Sequence, residues 1–214
     1  MAIRRCKPVL LSIALAVLVS TLQAIDRTGP LTAEGASAEV KQAVEEKGYH
    51  VILEDGWSAD FWLVRALDTS GRGAAGALYP DLSNGQFVGV VTLSKGTSDY
   101  RGQAIPPGTY TMRYQYIPQD ANHMGVSPNP DFLLAIPVAA DTNPTENLPF
   151  KRLVSLSAKA TATAHPAVIA MAPAAAAGSV LKNDEGITVF TVDVATSAGK
   201  SEKLGIGLKG QASQ

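Results

Sequence analysis

The residues able to do chemistry in this chain are few, and most of them crowd into one segment, Asp120-Ala121-Asn122-His123-Met124-Gly125-Val126-Ser127-Pro128-Asn129-Pro130-Asp131. The imidazole of His123 can ligate a metal or carry a proton near neutral pH. Asp120 and Asp131 stand at the two ends of the segment, where a hairpin would bring their carboxylates together. Asn122 and Ser127 lie between them. Read for function, this is a loop that could hold a divalent metal through His123, Asp120 and Asp131, or work as an acid-base hydrolase. Read for structure, Asp120 and Asn122 bond the backbone of their own turns, the prolines stiffen the loop and His123 bonds a carbonyl. The structural reading carries more weight, because a metal site needs a second strong ligand beside a single histidine. His165 and Asp141 would complete one only through tertiary contact, and His50 falls inside an expected strand.

Other chemistries find less support. Ser127 has His123 and Asp131 as sequence neighbours, but it lies in no Gly-x-Ser-x-Gly elbow, and a triad is rarely drawn from one loop. The only cysteine is Cys6. Glu54-Asp55 precedes Gly56 as turn chemistry, and Gly71-Arg72-Gly73 lacks the lysine and the strand-to-helix setting of a phosphate loop. Trp57 and Trp62, with Tyr79 and Tyr100 in loops, could form a platform for a sugar or a peptide. Aromatic residues of this kind more often serve as packing.

The elements that must position these residues are mostly strands. Ser37 can cap a helix over 38–47, which Gly48 ends. From Tyr49 the period changes to two. Strands are expected over 49–54 and 60–67 as a hairpin about Asp55-Gly56, and over 86–94 after the Asn84-Gly85 bend. Pro107-Gly108 turns the chain into the clearest strand, where Tyr110, Met112, Tyr114 and Tyr116 alternate with Thr109, Thr111, Arg113 and Gln115. The alternation predicts an aromatic core face and a polar face in solvent. An apolar strand follows over 132–138. Asn147 can then cap a second helix over 148–161, with Phe150, Leu153, Val154 and Ala158 facing inward. Strands over 167–171, 186–195 and 203–208 complete a mainly β chain. The expected architecture is an antiparallel β-sandwich of about eight strands with two short peripheral helices, since no helical crossover links successive strands.

Arg4, Arg5 and Lys7 precede an apolar stretch, Val9 to Val19, and a polar segment ending at Ala24. That is the plan of a cleavable signal peptide, and the stretch falls well short of the roughly 20 residues that cross a bilayer. The expected organisation is therefore a signal peptide over 1–24, a linker over 25–36 and a single domain over 37–214. Removing 24 of the 214 residues leaves 190, an ordinary single domain. It also removes Cys6 and three cations. Lys plus Arg falls from 18 to 15 against 19 acidic residues, a net charge of −4. A thiol-free, mildly acidic chain with no basic stripe and no further apolar run points away from disulfides, nucleic acid and a transmembrane segment in the mature chain. The expected location is secreted or periplasmic.

Phe61-Trp62-Leu63, Arg101-Gly102-Gln103, the run Pro107-Gly108-Thr109-Tyr110-Thr111-Met112-Arg113-Tyr114, His123-Met124-Gly125-Val126-Ser127-Pro128, Asp131-Phe132-Leu133-Leu134, Ser157-Ala158-Lys159-Ala160 and His165-Pro166-Ala167-Val168 resemble an uncharacterised family of exported bacterial β-rich proteins. The resemblance spans most of the mature chain and implies a secreted or periplasmic β-rich protein of soil-type bacteria, with no activity attached. The Pro-Gly-Thr-Tyr turn and strand is also similar to carboxypeptidase-regulatory-like β-sandwich modules, which bears on fold rather than function. The expected role is a non-enzymatic one, binding or structural, in the cell envelope with an envelope ligand or protein as partner and no cofactor. The alternative is the metal-dependent or acid-base hydrolase built on the loop around His123.

Overall fold

The computed structural model describes residues 24–71, 76–117 and 127–209. The expected signal peptide up to residue 23 lies outside the described residues, as do Arg72, Gly73, Asp120, Asn122 and His123. In chain order the elements are β1 (Ala24–Arg27), α1 (Ala38–Ala43), β2 (Tyr49–Ile52), β3 (Ser58–Leu63), β4 (Phe87–Leu93), β5 (Thr97–Ser98), β6 (Ala104–Ile105), β7 (Gly108–Tyr116), β8 (Asp131–Pro137), α2 (Phe150–Thr161), β9 (Ala167–Ala172), β10 (Ser179–Lys182), β11 (Thr188–Ala195) and β12 (Ser201–Lys209). The protein is mainly β and its strands pair antiparallel, as the alternating patterns predict.

The packing is not a sandwich of eight strands. One 10-stranded sheet runs β1-β2-β3-β4-β7-β8-β9-β12-β11-β10, with β5 and β6 as a separate hairpin. The sheet curls until its ends approach each other and is nearly a barrel. Phe190 of β11 packs its ring 5.6 Å from Tyr49 of β2 and 5.2 Å from Phe61 of β3. Leu67, just after β3, bonds the backbone on both sides of Thr196, at Ala195 and Ser197. A sheet that rolls up encloses its own core, so a second sheet is not needed to cover its apolar face. The interior is accordingly one cluster that includes Val51, Phe61, Val91, Tyr110, Met112, Tyr114, Leu133, Ile169, Phe190 and Ile206. Rolling also demands close backbone approach. A Cβ on Gly89 would sit 2.3 Å from the Trp62 carbonyl oxygen, at the point where the β4–β7 register shifts.

Several expectations are corrected. Within the segment read as a linker over 25–36, Ile25 to Arg27 belong to β1, paired with β2, and Leu31 is buried. Its four-residue strand was too short to show a period. The polar face of β7 is not in solvent: Thr111, Arg113 and Gln115 are all buried. The segment following β8 covers Thr111 and Arg113, through Asp141, Asn143 and Glu146. α2 starts after Pro149, with no side-chain cap from Asn147. Its buried face is Leu153, Leu156, Ser157 and Ala160, at i, i+3, i+4 and i+7, rather than the face through Phe150 and Ala158. That face covers Phe132, Leu134, Ile136 and Val168 on the outside of the sheet. β8 therefore reads as continuously apolar because both of its faces are buried. By contrast, the Ser37 cap of α1 is as expected, its hydroxyl accepting from Val40 N at 3.1 Å.

Candidate binding sites

Of the candidate residues in the loop singled out from the sequence, Ser127 and Asp131 fall among the described residues. Odd-numbered residues of β8 point into the barrel, so Asp131 enters the core, where it is 0% exposed. Its carboxylate accepts from Leu78 N at 2.7 Å, Tyr79 N at 3.1 Å and the Tyr114 hydroxyl at 2.6 Å. Ser127 donates to the Asp131 carbonyl at 3.5 Å. The Tyr79 hydroxyl receives Gly205 N at 2.8 Å and donates to the Ala172 carbonyl at 2.8 Å, bridging β9 and β12. Burial pushes the Tyr79 hydroxyl up to about 12, and burial with the bond to Asp131 raises that of Tyr114. Both stay protonated donors at ordinary pH. Asp131 thus fastens the Leu78–Tyr79 backbone and Tyr114 to β8, and as a metal ligand it would first have to give up these bonds.

The remaining candidates are dispersed. Asp141 lies on the outer side of β7, and His165 is exposed beyond α2, where its carbonyl accepts the Thr161 hydroxyl at 2.7 Å. His50 bonds Asp60 across β2 and β3, Nδ1 to Oδ1 2.5 Å, the structural role expected of it. No cluster of three or more histidine, cysteine or acidic residues suited to a metal occurs among the described residues. Trp57 and Trp62 do not form a common platform. Their odd spacing puts Trp62 on the outside of β3, packed with Leu31, Val40 and Val44 and donating to Gly29 O at 2.9 Å. Trp57 joins the interior cluster.

Sequence reading passed over Arg113. Its side chain is 1% exposed, and all five of its N–H groups are used. Nε and Nη2 hold the Asp141 carboxylate at 2.8 and 2.7 Å, Nη1 reaches Gly85 O at 2.9 Å and Glu146 O at 2.7 Å, and Nη2 also reaches Asn143 O at 2.7 Å. Thr111 adds a hydroxyl to Asp141 at 2.6 Å. The guanidinium therefore staples the turn at Gly85 to the 143–146 segment. Those two stretches wall a groove of about 410 Å³, a size that suits a small ligand. Asp68, Ser83, Asn147 and Glu146 line it with polar groups over Val64 and Phe87. Hydrogen bonds from Ser70 hold the Asp68 carboxyl below its ordinary range, so the groove keeps a negative charge. An arginine in an otherwise perfect alternation was the available signal, since its polar neighbours Thr and Gln made it look like one more solvent-facing residue.

A second recess opens where β9 and β12 part. It is lined by Trp57, Phe61, Val91, Ile105, Ile169 and Ile187, and encloses about 30 Å³. The Trp57 indole N–H has no hydrogen-bond partner among the described residues. The buried carboxyl of Asp99 stands at its edge, its pKa raised by desolvation, with Gln103 N and Arg101 N bonded to it at 2.8 and 3.0 Å. No protein-family profile matches the chain, and no curated protein or solved structure is significantly similar to it.

Proposed function

We propose that this is an exported, non-enzymatic binding protein of the cell envelope, belonging with the exported β-rich bacterial proteins that its motifs resemble. The groove stapled by Arg113 is its binding surface. The observation that carries the reading is the staple itself: three hydrogen bonds from one buried guanidinium, to Gly85 O, Asn143 O and Glu146 O, tie both walls of a ligand-sized groove together before anything binds. Preorganisation of this kind lowers the ordering cost of association. The polar groups that line the groove, Asp68, Glu146 and Asn147, favour a neutral hydroxylated ligand or a cationic one over an anion.

Export is supported by the charged, apolar and polar succession before Ala24 and by the absence of any cysteine after Cys6. Two measurements test the reading. Expressed in a bacterial host, the full chain should be recovered outside the cytoplasm with an N-terminus within a few residues of Ile25; cytoplasmic protein still starting at Met1 would overturn export. In a thermal-shift panel of neutral oligosaccharides, polyamines and short basic peptides, a ligand should raise the melting temperature of the wild type. The Glu146→Ala and Asn147→Ala double variant should lose that rise. An unchanged rise in the variant would remove the groove from the reading.

A further inference from the structure

The two ends of the curled sheet do not pair with each other. β10 bonds β11 along one edge, and its other edge meets no strand among the described residues. The ladder decides which backbone groups lie on that open edge. Asn183 N donates to Ile187 O at 2.9 Å at the turn end, so the backbone groups of Asn183, Leu181 and Ser179 point toward β11. Antiparallel alternation turns those of Val180 and Lys182 outward, each offering an N–H and a C=O. Such an edge is a template for a further strand.

Side chains mark the same edge. Leu181 is 52% exposed, the single large hydrophobic residue exposed among those described. Just before β10, Pro173 to Ala177 are all exposed, and Ala175 N bonds the Thr191 hydroxyl at 3.2 Å, which lays this small apolar stretch against β11. An apolar side chain in water beside unpaired backbone is what soluble proteins ordinarily keep off a strand edge.

The edge is also self-complementary. When two copies of β10 lie antiparallel about a two-fold axis at Leu181, Val180 of each falls opposite Lys182 of the other, and the outward N–H and C=O groups of both residues are all bonded. The two Leu181 side chains meet at a non-hydrogen-bonded position, where cross-strand side chains approach most closely. Charge selects this register, because moving the axis to Lys182 would set two ammonium groups opposite each other. The edge of β1 offers no closed alternative. Laying β10 on β1 of another copy leaves an open edge at each end and repeats indefinitely.

We propose that the protein self-associates as a two-fold dimer through β10, with Leu181 on the axis. A four-residue strand buries far less than the roughly 1,200 Å² of a stable interface, so the dimer is weak and forms at high protein concentration. It depends on neither the Arg113 groove nor export.

Sedimentation velocity of the full chain, over a concentration series reaching the millimolar range, should show monomer passing into dimer. Leu181→Lys opposes like charges on the axis and should weaken association at least tenfold. Lys182→Pro removes an outward N–H without touching the β11 ladder and should do the same, whereas Lys182→Ala keeps that N–H and should still dimerise. Circular dichroism checks that each variant is folded. The register has its own test in a Cys6→Ser background. Leu181→Cys should cross-link on oxidation, because non-hydrogen-bonded pairs hold their Cα atoms about 4.5 Å apart, within reach of a disulfide, and Ser179→Cys should not. A monomer at every concentration, or a dimer unchanged by Leu181→Lys or Lys182→Pro, would overturn the interface. Growth beyond the dimer would replace the two-fold axis with β10-to-β1 chaining. Cross-linking that is equal at the two positions, or missing at Leu181, would overturn the register.

Discussion

Arg113 and Asp141 illustrate what a single residue can do when it is buried. Their pairing is complete, so removing one partner strands the other charge in a site without water. Arg113→Met should cost about 3–5 kcal/mol, whereas Arg113→Met with Asp141→Leu should recover part of the loss, because replacing both partners removes the uncompensated charge. Chemical denaturation of the two single variants and the double variant measures this coupling; a double variant as unstable as the sum of the singles would contradict it. Asp131 should respond differently. Asp131→Asn keeps the shape but turns an amide N–H₂ toward groups that are themselves donors, at a cost of about 2–3 kcal/mol. Asp99 has the opposite sign. Burial raises its folded-state pKa above its ordinary 3.8, so between those two values the folded state binds more protons than the unfolded state, and stability falls as pH rises through that window. Asp99→Asn retains an oxygen for the Arg101 and Gln103 amides and removes the charge. It should flatten this fall and leave the protein at least as stable at pH 7, as thermal melts across pH would record.

At the scale of elements, α2 ends under strain that one substitution relieves. Ala162 takes φ 52° and ψ 28°, the left-handed conformation that closes the helix, and it is the single non-glycine residue with positive φ among those described. Ala162→Gly should gain about 0.5–1 kcal/mol, raising the melting temperature by roughly 1–4 °C. Gly89 is the reverse case. Its missing Cβ lets β4 approach the Trp62 carbonyl to within a distance no side chain tolerates, so Gly89→Ala should disrupt the β3–β4 pairing. The legible elements were those with long or clean periods. β2, β3, β4, β7, β8, β9, β11 and β12 are all anticipated by alternation or by apolar runs between turn signals, as are both helices. β1, β5, β6 and β10 have two to four residues each. A period of two cannot declare itself over so few positions, and their pairing comes from neighbours already in place. α2 was found, but its buried face was misjudged, because Phe150 and Ala158 look as apolar as Leu156 and Ala160 until the sheet beneath selects a side.

At the scale of the whole molecule, the core joins residues from nearly every strand into one cluster, with Phe190 contacting the rings of Tyr49 and Phe61 from the opposite end of the sheet. Such a core should unfold as one unit. Trp57 lies inside it and Trp62 outside it, so their fluorescence and the far-ultraviolet circular dichroism should report coincident transitions; a separate transition at either tryptophan would reveal an independent part. The sequence by itself determined the strand-rich class, the antiparallel pairing and the residues of the central strands, because side-chain alternation is a local consequence of the pleat. It also marked Asp131, Trp57 and Trp62 as residues to follow. Only the tertiary structure decided what those residues do. Curling of the sheet turned Asp131 into a core fastener and set the two tryptophans on opposite faces. The segment after β8 buried Arg113, and the parting of β9 from β12 left a small recess beside Trp57. These outcomes depend on which distant strands meet, and burial and hydrogen-bond saturation are properties of that meeting rather than of any local pattern.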